Sequence, residues 1–352
     1  MLDLKEVNSR IPGMDESALQ GAYDRWSKVA HPLKSLGVLE DIVAQIAGVT
    51  GDVKFDFSRR VLIAMCADNG VIAQGVTQSD ESITTLVAGD LAKGISSANL
   101  MADVAKVDVI SVDVGVKTPS TVPGVVDRCI ARGTADFTQG PAMTKEQALR
   151  AVEIGIEMVK EAKDKGYTAI ATGEMGIGNT TTSAAVCSVL LGCAPEEITG
   201  RGAGLTTAGL NRKVDAIKRG IALNKPDPED ALDVVSKVGG FDIAAMAGLY
   251  IGGALYRAPV VIDGVISAVA ALVAQRMCPA CAYAMIPSHI SLEPAAQKVF
   301  DALGMKPVIH AGMHLGEGTG AVCLFPLIDM ALSLYNGFDF GEIGMDAYVP
   351  LS

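Results

Sequence analysis

The chain has 352 residues, of which 49% are hydrophobic, 5% are aromatic and 38 are glycine. This composition excludes a disordered or fibrous chain and is typical of a glycine-rich α/β protein with a large core. The 29 basic and 40 acidic residues give a net charge of −11, which disfavours nonspecific binding to nucleic acid or to an anionic membrane.

The apolar segments and the cysteines indicate a cytoplasmic protein without a membrane segment. The longest apolar stretch, 243–256, is shorter than a bilayer span, and the N-terminus lacks the basic start and apolar core of a secretion signal. Seven scattered cysteines indicate reduced thiols rather than a disulfide framework. Cys278-Pro-Ala-Cys281 has no second ligand pair nearby, so packing is favoured over a zinc site.

Six short runs rich in valine, isoleucine and alanine alternate with helical stretches, which is the pattern of a buried parallel sheet. We therefore predict an α/β fold with a doubly wound, mostly parallel sheet. The predicted strands, in chain order, are Val61–Cys66, Val107–Val112, Tyr167–Ala171, Pro259–Ile262, Ala282–Ile286 and Pro307–Ala311.

Most of these predicted strands end in glycine together with an acidic residue. The carboxyl ends of parallel strands lie along one edge of a sheet, so the pattern predicts one acidic, glycine-lined cleft there. Each acid taken alone also fits a helix cap or an ordinary turn. The segments after the six strands contain Asp68-Asn69-Gly70, Asp113-Val114-Gly115, Gly173-Glu174-Met175-Gly176, Asp263-Gly264, Ser288-His289 and the run from Gly312 to Gly318.

The most informative of these segments is 173–182, which reads Gly-Glu-Met-Gly-Ile-Gly-Asn-Thr-Thr-Thr and leads from a predicted strand into a predicted helix. Glycines allow close approach of a ligand, and the free N–H groups of the helix start attract an anion such as phosphate. The segment lacks the Gly-Lys-Ser/Thr of a P-loop and the third glycine of a dinucleotide fingerprint. A tight strand-to-helix turn capped by threonine remains an equal interpretation.

Two further glycine clusters precede helical stretches. Residues 200–205 read Gly-Arg-Gly-Ala-Gly-Leu and are followed by Leu210-Asn211-Arg212-Lys213, whose cations could hold a phosphate or simply face solvent. Residues 315–321 read Leu-Gly-Glu-Gly-Thr-Gly-Ala and place Glu317 at a helix start. There it is either a carboxylate favoured by the helix dipole or a general base that substrate can reach, and its position at the predicted sheet edge favours the base.

These motifs together resemble the nicotinate-nucleotide:dimethylbenzimidazole phosphoribosyltransferase family of cobalamin biosynthesis. The resemblance spans nearly the whole chain and depends on many motifs in the same order. Besides 173–181 and 315–321, they are Ser35-Leu36-Gly37 with Leu39-Glu40, Gly133-Thr134, Gly140-Pro141-Ala142-Met143, Gly200-Arg201-Gly202 through Lys213, 240–244, Asp263-Gly264, and Ser288-His289 with Ser291 and Glu293.

The resemblance implies that the chain moves the 5-phosphoribosyl group of nicotinate mononucleotide to a lower-ligand base, dimethylbenzimidazole or a related benzimidazole. The products would be nicotinate and an α-ribotide, α-ribazole 5′-phosphate, and the family uses neither a metal nor another cofactor. Glu317 is then the general base and Glu174 supplies electrostatic support. The residues implied to bind substrates are Gly176, Gly178, Asn179, Thr180, Thr181, Gly202, Gly204, Lys213, Asp263, Gly264, Ser291, Leu315 and Leu86.

The resemblance also implies a domain organisation and an oligomeric state. A large Rossmann-like catalytic domain would comprise residues 51–327. Residues 1–50 and 328–352 would form a small helical domain from the two chain ends, with helices within 15–46 and 328–335. The molecule would be a homodimer, or a heterodimer with a paralogous subunit.

Three positions depart from the family pattern near the acceptor side. Leu86 replaces a glutamine expected to face the acceptor base, Asn69 stands where histidine is common, and Asp136 stands where asparagine is common. An apolar side chain at 86 would suit a phenol, a purine or a differently substituted benzimidazole, unless the pocket compensates elsewhere.

Two functions of other classes stay open at this point. A noncatalytic nucleotide-binding paralog would keep the phosphate turns and lose the base, which Glu317 and Glu174 argue against. A kinase or other nucleoside-triphosphate-dependent transferase would require magnesium and a triphosphate, and no Walker-type lysine is present.

Overall fold

A six-stranded parallel sheet forms the centre of the fold. The computed structural model describes residues 2–348. All strand pairs are parallel and their order in the sheet is β3-β2-β1-β4-β5-β6. This order reverses direction between β1 and β4, which is where doubly wound folds open a ligand crevice. The strands are β1 (Arg60–Ala67), β2 (Val107–Gly115), β3 (Val126–Asp127), β4 (Ala169–Met175), β5 (Val260–Ile262) and β6 (Met285–Pro287).

Helices cover both faces of the sheet because successive strand residues point to opposite faces. Along β1, Val61, Ile63 and Met65 pack into one apolar cluster, and Leu62, Ala64 and Cys66 pack into the other. The helices are α1 (Leu4–Arg10), α2 (Glu16–Trp26), α3 (Val38–Thr50), α4 (Ser82–Lys93), α5 (Ser97–Ala105), α6 (Lys145–Asp164), α7 (Asn179–Leu191), α8 (Pro195–Ile198), α9 (Thr207–Asn224), α10 (Ala231–Val238), α11 (Phe241–Leu255), α12 (Val265–Met277), α13 (Ala296–Leu303) and α14 (Thr319–Tyr335), with short 3₁₀ helices at Gly70–Gln74, Pro279–Ala284 and Phe340–Ile343.

The predicted α/β class with a doubly wound parallel sheet is confirmed, but the strand predicted at Pro307–Ala311 is wrong. That segment forms a single parallel bridge, between Ile309 and His289. None of its residues is buried, so it lies at the margin of the sheet rather than in the core. Its apolar composition resembled a strand, and Val308 and Ile309 pack against the core, but only the single bridge to His289 forms.

Two other strand predictions need correction. The segment predicted as a strand from Ala282 is mainly the 3₁₀ helix Pro279–Ala284, and the strand itself is only Met285–Pro287. The sequence analysis missed β3, which is two residues long and pairs with Val112 and Asp113 of β2. A pair of residues carries no periodicity, so β3 leaves no recognisable pattern in the sequence.

The two chain ends meet in a separate apolar cluster. Trp26 of α2 packs edge-on against Tyr335 at the end of α14, with 5.0 Å between the ring centroids. The other buried members of this cluster are Ala22, Val29, Val43, Ala44, Ala47 and Ala331. The predicted small helical domain also included Met1 and residues 349–352, which lie outside the described residues.

Candidate active site

A cleft with about 200 Å³ of space lies at the carboxyl ends of β4, β5 and β6. Segments that are distant in the sequence contribute to it because the parallel strands end on the same edge of the sheet. Its walls are Glu174 to Ile177, Asn179, Thr180, Gly202, Ala203, Asp263 to Ser267, His289, Ser291, Glu293 and His314 to Glu317.

Glu174 is a buried acid at the end of β4 and forms one wall of this cleft. Its Oε2 accepts a hydrogen bond from the amide of Asn179, and its Oε1 accepts one from the backbone N–H of Glu317 at 3.4 Å. Burial, reinforced by the nearby acids Asp242 and Asp263, raises the pKa of Glu174. A positively charged group in the cleft would favour the ionised form of this carboxyl and lower its pKa again.

Glu317 faces Glu174 from the loop before α14. The loop holds Gly316, Glu317 and Gly318 in the left-handed region, with φ of +90°, +59° and +87°. The Glu317 carboxylate reaches the start of α5, where its Oε2 accepts a hydrogen bond from Ala98 N at 3.3 Å. Burial raises the pKa of Glu317 in spite of that bond. A carboxylate of raised pKa in an accessible cleft is suited to act as a general base.

The turn from β4 into α7 needs glycine at two positions. A Cβ on Gly176 would lie 2.4 Å from Ala67 O, and Gly178 has a φ of +94°. No side chain caps the N-terminus of α7. Its first N–H groups therefore carry the partial positive charge that attracts an anion.

Lys213 of α9 supplies a cation to this turn. Its side chain is fully buried, and Nζ donates hydrogen bonds to Thr180 Oγ1 at 2.8 Å and to Gly200 O at 3.2 Å. Within residues 2–348 it forms no salt bridge, and burial lowers the pKa of Lys213 to about 8. A Cβ at Gly202 would lie 3.7 Å from Nζ, so this glycine keeps the approach to the ammonium group open. Glu293 acts on this ammonium group from a distance, and a phosphate would add a directly bonded charge partner.

Asp263 has a structural role beside the cleft. Its Oδ1 accepts hydrogen bonds from Gly320 N at 2.7 Å and Ala321 N at 3.1 Å, and its Oδ2 accepts one from Gly318 N at 3.1 Å. Both oxygens thus cap the start of α14 and hold the loop that carries Glu317. The cap interpretation, left open for each acid in the sequence, accounts for these contacts.

Comparison with known proteins gives the family of the chain. A family model described as phosphoribosyltransferase matches residues 11–343. A nicotinate-nucleotide–dimethylbenzimidazole phosphoribosyltransferase of Ruminiclostridium cellulolyticum is 44% identical over 351 residues, which cover 99% of this chain and 100% of the relative. A protein of the same name from Clostridium acetobutylicum is 43% identical over 353 residues, with 99% and 100% covered.

The chain belongs to the nicotinate-nucleotide–dimethylbenzimidazole phosphoribosyltransferase family. The resemblance found in the motifs is thereby confirmed. The fold agrees, since the crystal structure of CobT from Thermus thermophilus matches with a TM-score of 0.89 at 36% identity and covers 94% of this chain and 99% of that one.

Most of the residues that the family resemblance implicated line the cleft. Five do not: Thr181 is fully buried, Lys213 reaches the wall through its hydrogen bond to Thr180, and Gly178, Gly204 and Leu86 are not among the lining residues. Leu86 is on α4 and is 56% exposed. On the same helix, Thr84 Oγ1 accepts a hydrogen bond from Ile177 N at 3.1 Å, which ties α4 to the turn before α7.

The prediction of one cleft shared by all strand ends is wrong for β1 and β2. Asp68 and Asn69 line a separate cavity of about 430 Å³, together with Lys117 and Arg132. Asp113 forms a salt bridge with Arg132 at 3.2 Å and accepts hydrogen bonds from nearby backbone N–H groups. For this acid the turn interpretation holds.

Several neighbours of the cleft were not among the predicted site residues. His289 lines it and fills the space beside Gly320, where a Cβ would lie 1.9 Å from His289 Nδ1. Its position just after a predicted strand was the available signal. Asp242 lies behind Gly176. It follows two glycines at the start of α11 and does not follow a strand, so the strand-exit pattern could not identify it.

No group of three or more potential ligands within residues 2–348 is arranged to hold a metal ion.

Proposed function

We propose that this chain transfers the 5-phosphoribosyl group of nicotinate mononucleotide to a benzimidazole base and releases nicotinate. The names of its close relatives support this reaction. The observation that carries the proposal is the hydrogen bond from Glu317 N to Glu174 Oε1, which places both acids in one cleft beside the turn held by Lys213. The cleft thus offers a base, a partner for positive charge and an anion site together.

The donor nucleotide fits this arrangement in one orientation. Its phosphate would bind at the start of α7 and near Lys213, where N–H groups and an ammonium group converge. The ribose would then extend toward Glu174 and Glu317. Nicotinate bonded through its ring nitrogen is a cationic leaving group, and C1 of the ribose gains positive charge as that bond breaks. Ionised Glu174 would stabilise this charge.

The acceptor would approach C1 from the face opposite to nicotinate, so the β-linked donor gives an α-linked product. Glu317 would take the proton from the acceptor nitrogen as the new bond forms. Holding both reactants in one cleft removes much of the entropic barrier of a bimolecular reaction. This mechanism needs no cofactor.

The acceptor base is the part of the proposal most open to variation. Leu86 offers no hydrogen bond where the family pattern has glutamine, and it is an exposed residue of α4 outside the lining of the cleft. A phenol or a purine is therefore the second candidate acceptor for the same reaction.

We further propose the assembly, domain division and location of the protein. A homodimer is the expected assembly, with a paralogous heterodimer as the alternative. The cluster around Trp26 and Tyr335 supports a small helical domain of residues 1–50 and 328–352 beside a catalytic domain of 51–327. All seven cysteines are free thiols, which supports a cytoplasmic location. Within residues 2–348, no helix has the length and apolarity needed to cross a bilayer.

The test is release of nicotinate from nicotinate mononucleotide by the purified protein, alone and with a panel of benzimidazoles, purines and phenols. Acceptor-dependent release with an α-ribotide product is expected. Nucleotide binding without release under any condition would contradict the transferase and favour a noncatalytic paralog.

A further inference from the structure

Two buried carboxyl groups lie on either side of the Asn179 amide. One is Glu174, whose Oε2 accepts a hydrogen bond from that amide. The other is Asp242 of α11, which the same amide also faces. Asp242 Oδ2 lies 2.8 Å from the position that a Cβ on Gly176 would occupy, so Asp242 is directly behind the turn before α7. It does not line the cleft and therefore acts on substrate only through its neighbours.

One carboxylate oxygen of Asp242 accepts no hydrogen bond within residues 2–348. Asp242 Oδ1 accepts a hydrogen bond from Ile243 N at 2.9 Å, but its Oδ2 accepts none within residues 2–348, since the Asn179 amide bonds to Glu174 Oε2 instead. Asn69 Oδ1, also buried, lacks one as well. The two side chains lie together, since a Cβ at Gly240 would be 2.3 Å from Asp242 Oδ1 and 2.5 Å from Asn69 Oδ1. A proton on the Asp242 carboxyl would provide a donor at the place where buried acceptors lack one.

The charges around Glu174 and Asp242 also favour a bound proton. No salt bridge to Glu174 or Asp242 forms within the described part of the chain. Further acids act on both groups: Asp263 after β5 on Glu174, and Asp68 after β1 on Asp242. The other titratable side chains that line the cleft are Glu293, Glu317, His289 and His314. The Glu317 carboxylate is directed to Ala98 N of α5, and His289 contacts Ser288 Oγ at 3.1 Å.

Two negative charges buried side by side without a cation are strongly unfavourable, and one bound proton relieves both the repulsion and the desolvation. Burial, with the neighbouring acids, raises the pKa of both Glu174 and Asp242. The hydrogen bonds and the charges thus lead independently to a bound proton.

We propose that Glu174 and Asp242 hold one proton between them in the free enzyme, and that Asp242 is a positioning residue that sets the charge on Glu174. This inference rests on the proposed function. When the cationic nucleotide occupies the cleft, Glu174 is favoured in its ionised form and the proton leaves to solvent. Asp242 thus controls how much of the enzyme carries the anion that stabilises charge at C1.

The first test is infrared difference spectroscopy of the full chain, which resolves the C=O stretch of a protonated buried carboxyl. The wild type should show this band at neutral pH and lose it as the pH rises. Burial alone raises the pKa of either acid, so Asp242→Asn and Glu174→Gln should keep the band but lose it at a pH about one unit lower than the wild type does. A wild type without the band, or an Asp242→Asn variant that loses it at the same pH as the wild type, overturns the pair. If one variant does not fold, the other gives the same readout.

The second test is the pH dependence of kcat/KM for nicotinate mononucleotide. Removing the charge of Asp242 lowers the pKa of Glu174, so the acid limb of Asp242→Asn should move to lower pH by about one unit. At high pH, kcat should stay within about threefold of the wild type. If the acid limb of Asp242→Asn does not move and kcat falls equally at every pH, then Asp242 has only a structural role. A wild type that never releases nicotinate refutes the proposed function instead, and the infrared band still tests the pair.

Discussion

Replacing Lys213 with methionine should stabilise the free protein and weaken nucleotide binding. Lys213 is fully buried, and within residues 2–348 its Nζ donates hydrogen bonds to Thr180 Oγ1 and Gly200 O, with Glu293 as a nearby acid. Methionine has a similar length and no charge, so it can fill the same space without the desolvation that the ammonium group suffers. The substitution separates what the lysine does for the fold from what it does for the ligand.

The size of both effects follows from the site. Burial lowers the pKa of Lys213 from 10.5 to about 8, and at ~1.4 kcal/mol per pH unit the charged form destabilises the fold by ~3 kcal/mol at pH 7. Gly200 O loses a donor in the variant, which costs about 1 kcal/mol. The net gain in the free energy of unfolding is therefore about 2 kcal/mol. Loss of a charge-assisted bond to phosphate should weaken nucleotide binding by roughly 10- to 100-fold.

The assay is urea unfolding of both proteins from pH 7 to pH 10.5, with nucleotide titrations at pH 7. The destabilisation by charged Lys213 is complete below about pH 8 and is lost as the pH rises toward 10.5, because the unfolded chain keeps the proton longer than the folded one. The advantage of Lys213→Met should therefore shrink over that range. A variant that is less stable than the wild type, or that binds the nucleotide equally well, would refute this reasoning.

Three further substitutions test separate parts of the site. Glu317→Gln should keep nucleotide affinity within about threefold and reduce transfer by about 10²- to 10⁴-fold, measured as steady-state nicotinate release; normal turnover would exclude Glu317 as the base. Leu86→Gln should raise the use of dimethylbenzimidazole relative to phenol in a competition assay, and an unchanged ratio would contradict our account of the acceptor pocket. Asp263→Ala should lower the free energy of unfolding by about 3 kcal/mol through loss of the α14 cap, measured by urea unfolding; an unchanged midpoint would show that the cap is dispensable.

The sequence predicted the parts of the site that follow strands. Glu174 and Asp263 each come at or just after a buried apolar run, and parallel pairing brings those ends together. Glu317 was found by its flanking glycines, although the strand expected before it is absent. Its loop reaches the cleft because Asp263 caps α14, a contact between segments more than 50 residues apart in the chain.

The sequence could not predict the contacts that depend on three-dimensional proximity. Asp242 is an unremarkable helix-start acid until α11 is packed behind Gly176. Lys213 resembles a surface residue of an amphipathic helix, and only the fold shows that it is fully buried. Likewise, Asp68 and Asp263 share the same strand-exit pattern but line different cavities, because β1 and β5 lie on opposite sides of the point between β1 and β4 where the strand order reverses.

Glu317 adopts a left-handed backbone conformation, which glycine adopts most readily. A side chain other than glycine or asparagine in that conformation costs on the order of 1 kcal/mol, so the fold alone would favour glycine at position 317 as it does on both sides. If Glu317 is the base we propose, a relative that no longer needs it would gain stability from glycine at this position. We therefore expect the residue here to separate active paralogs from inactive ones.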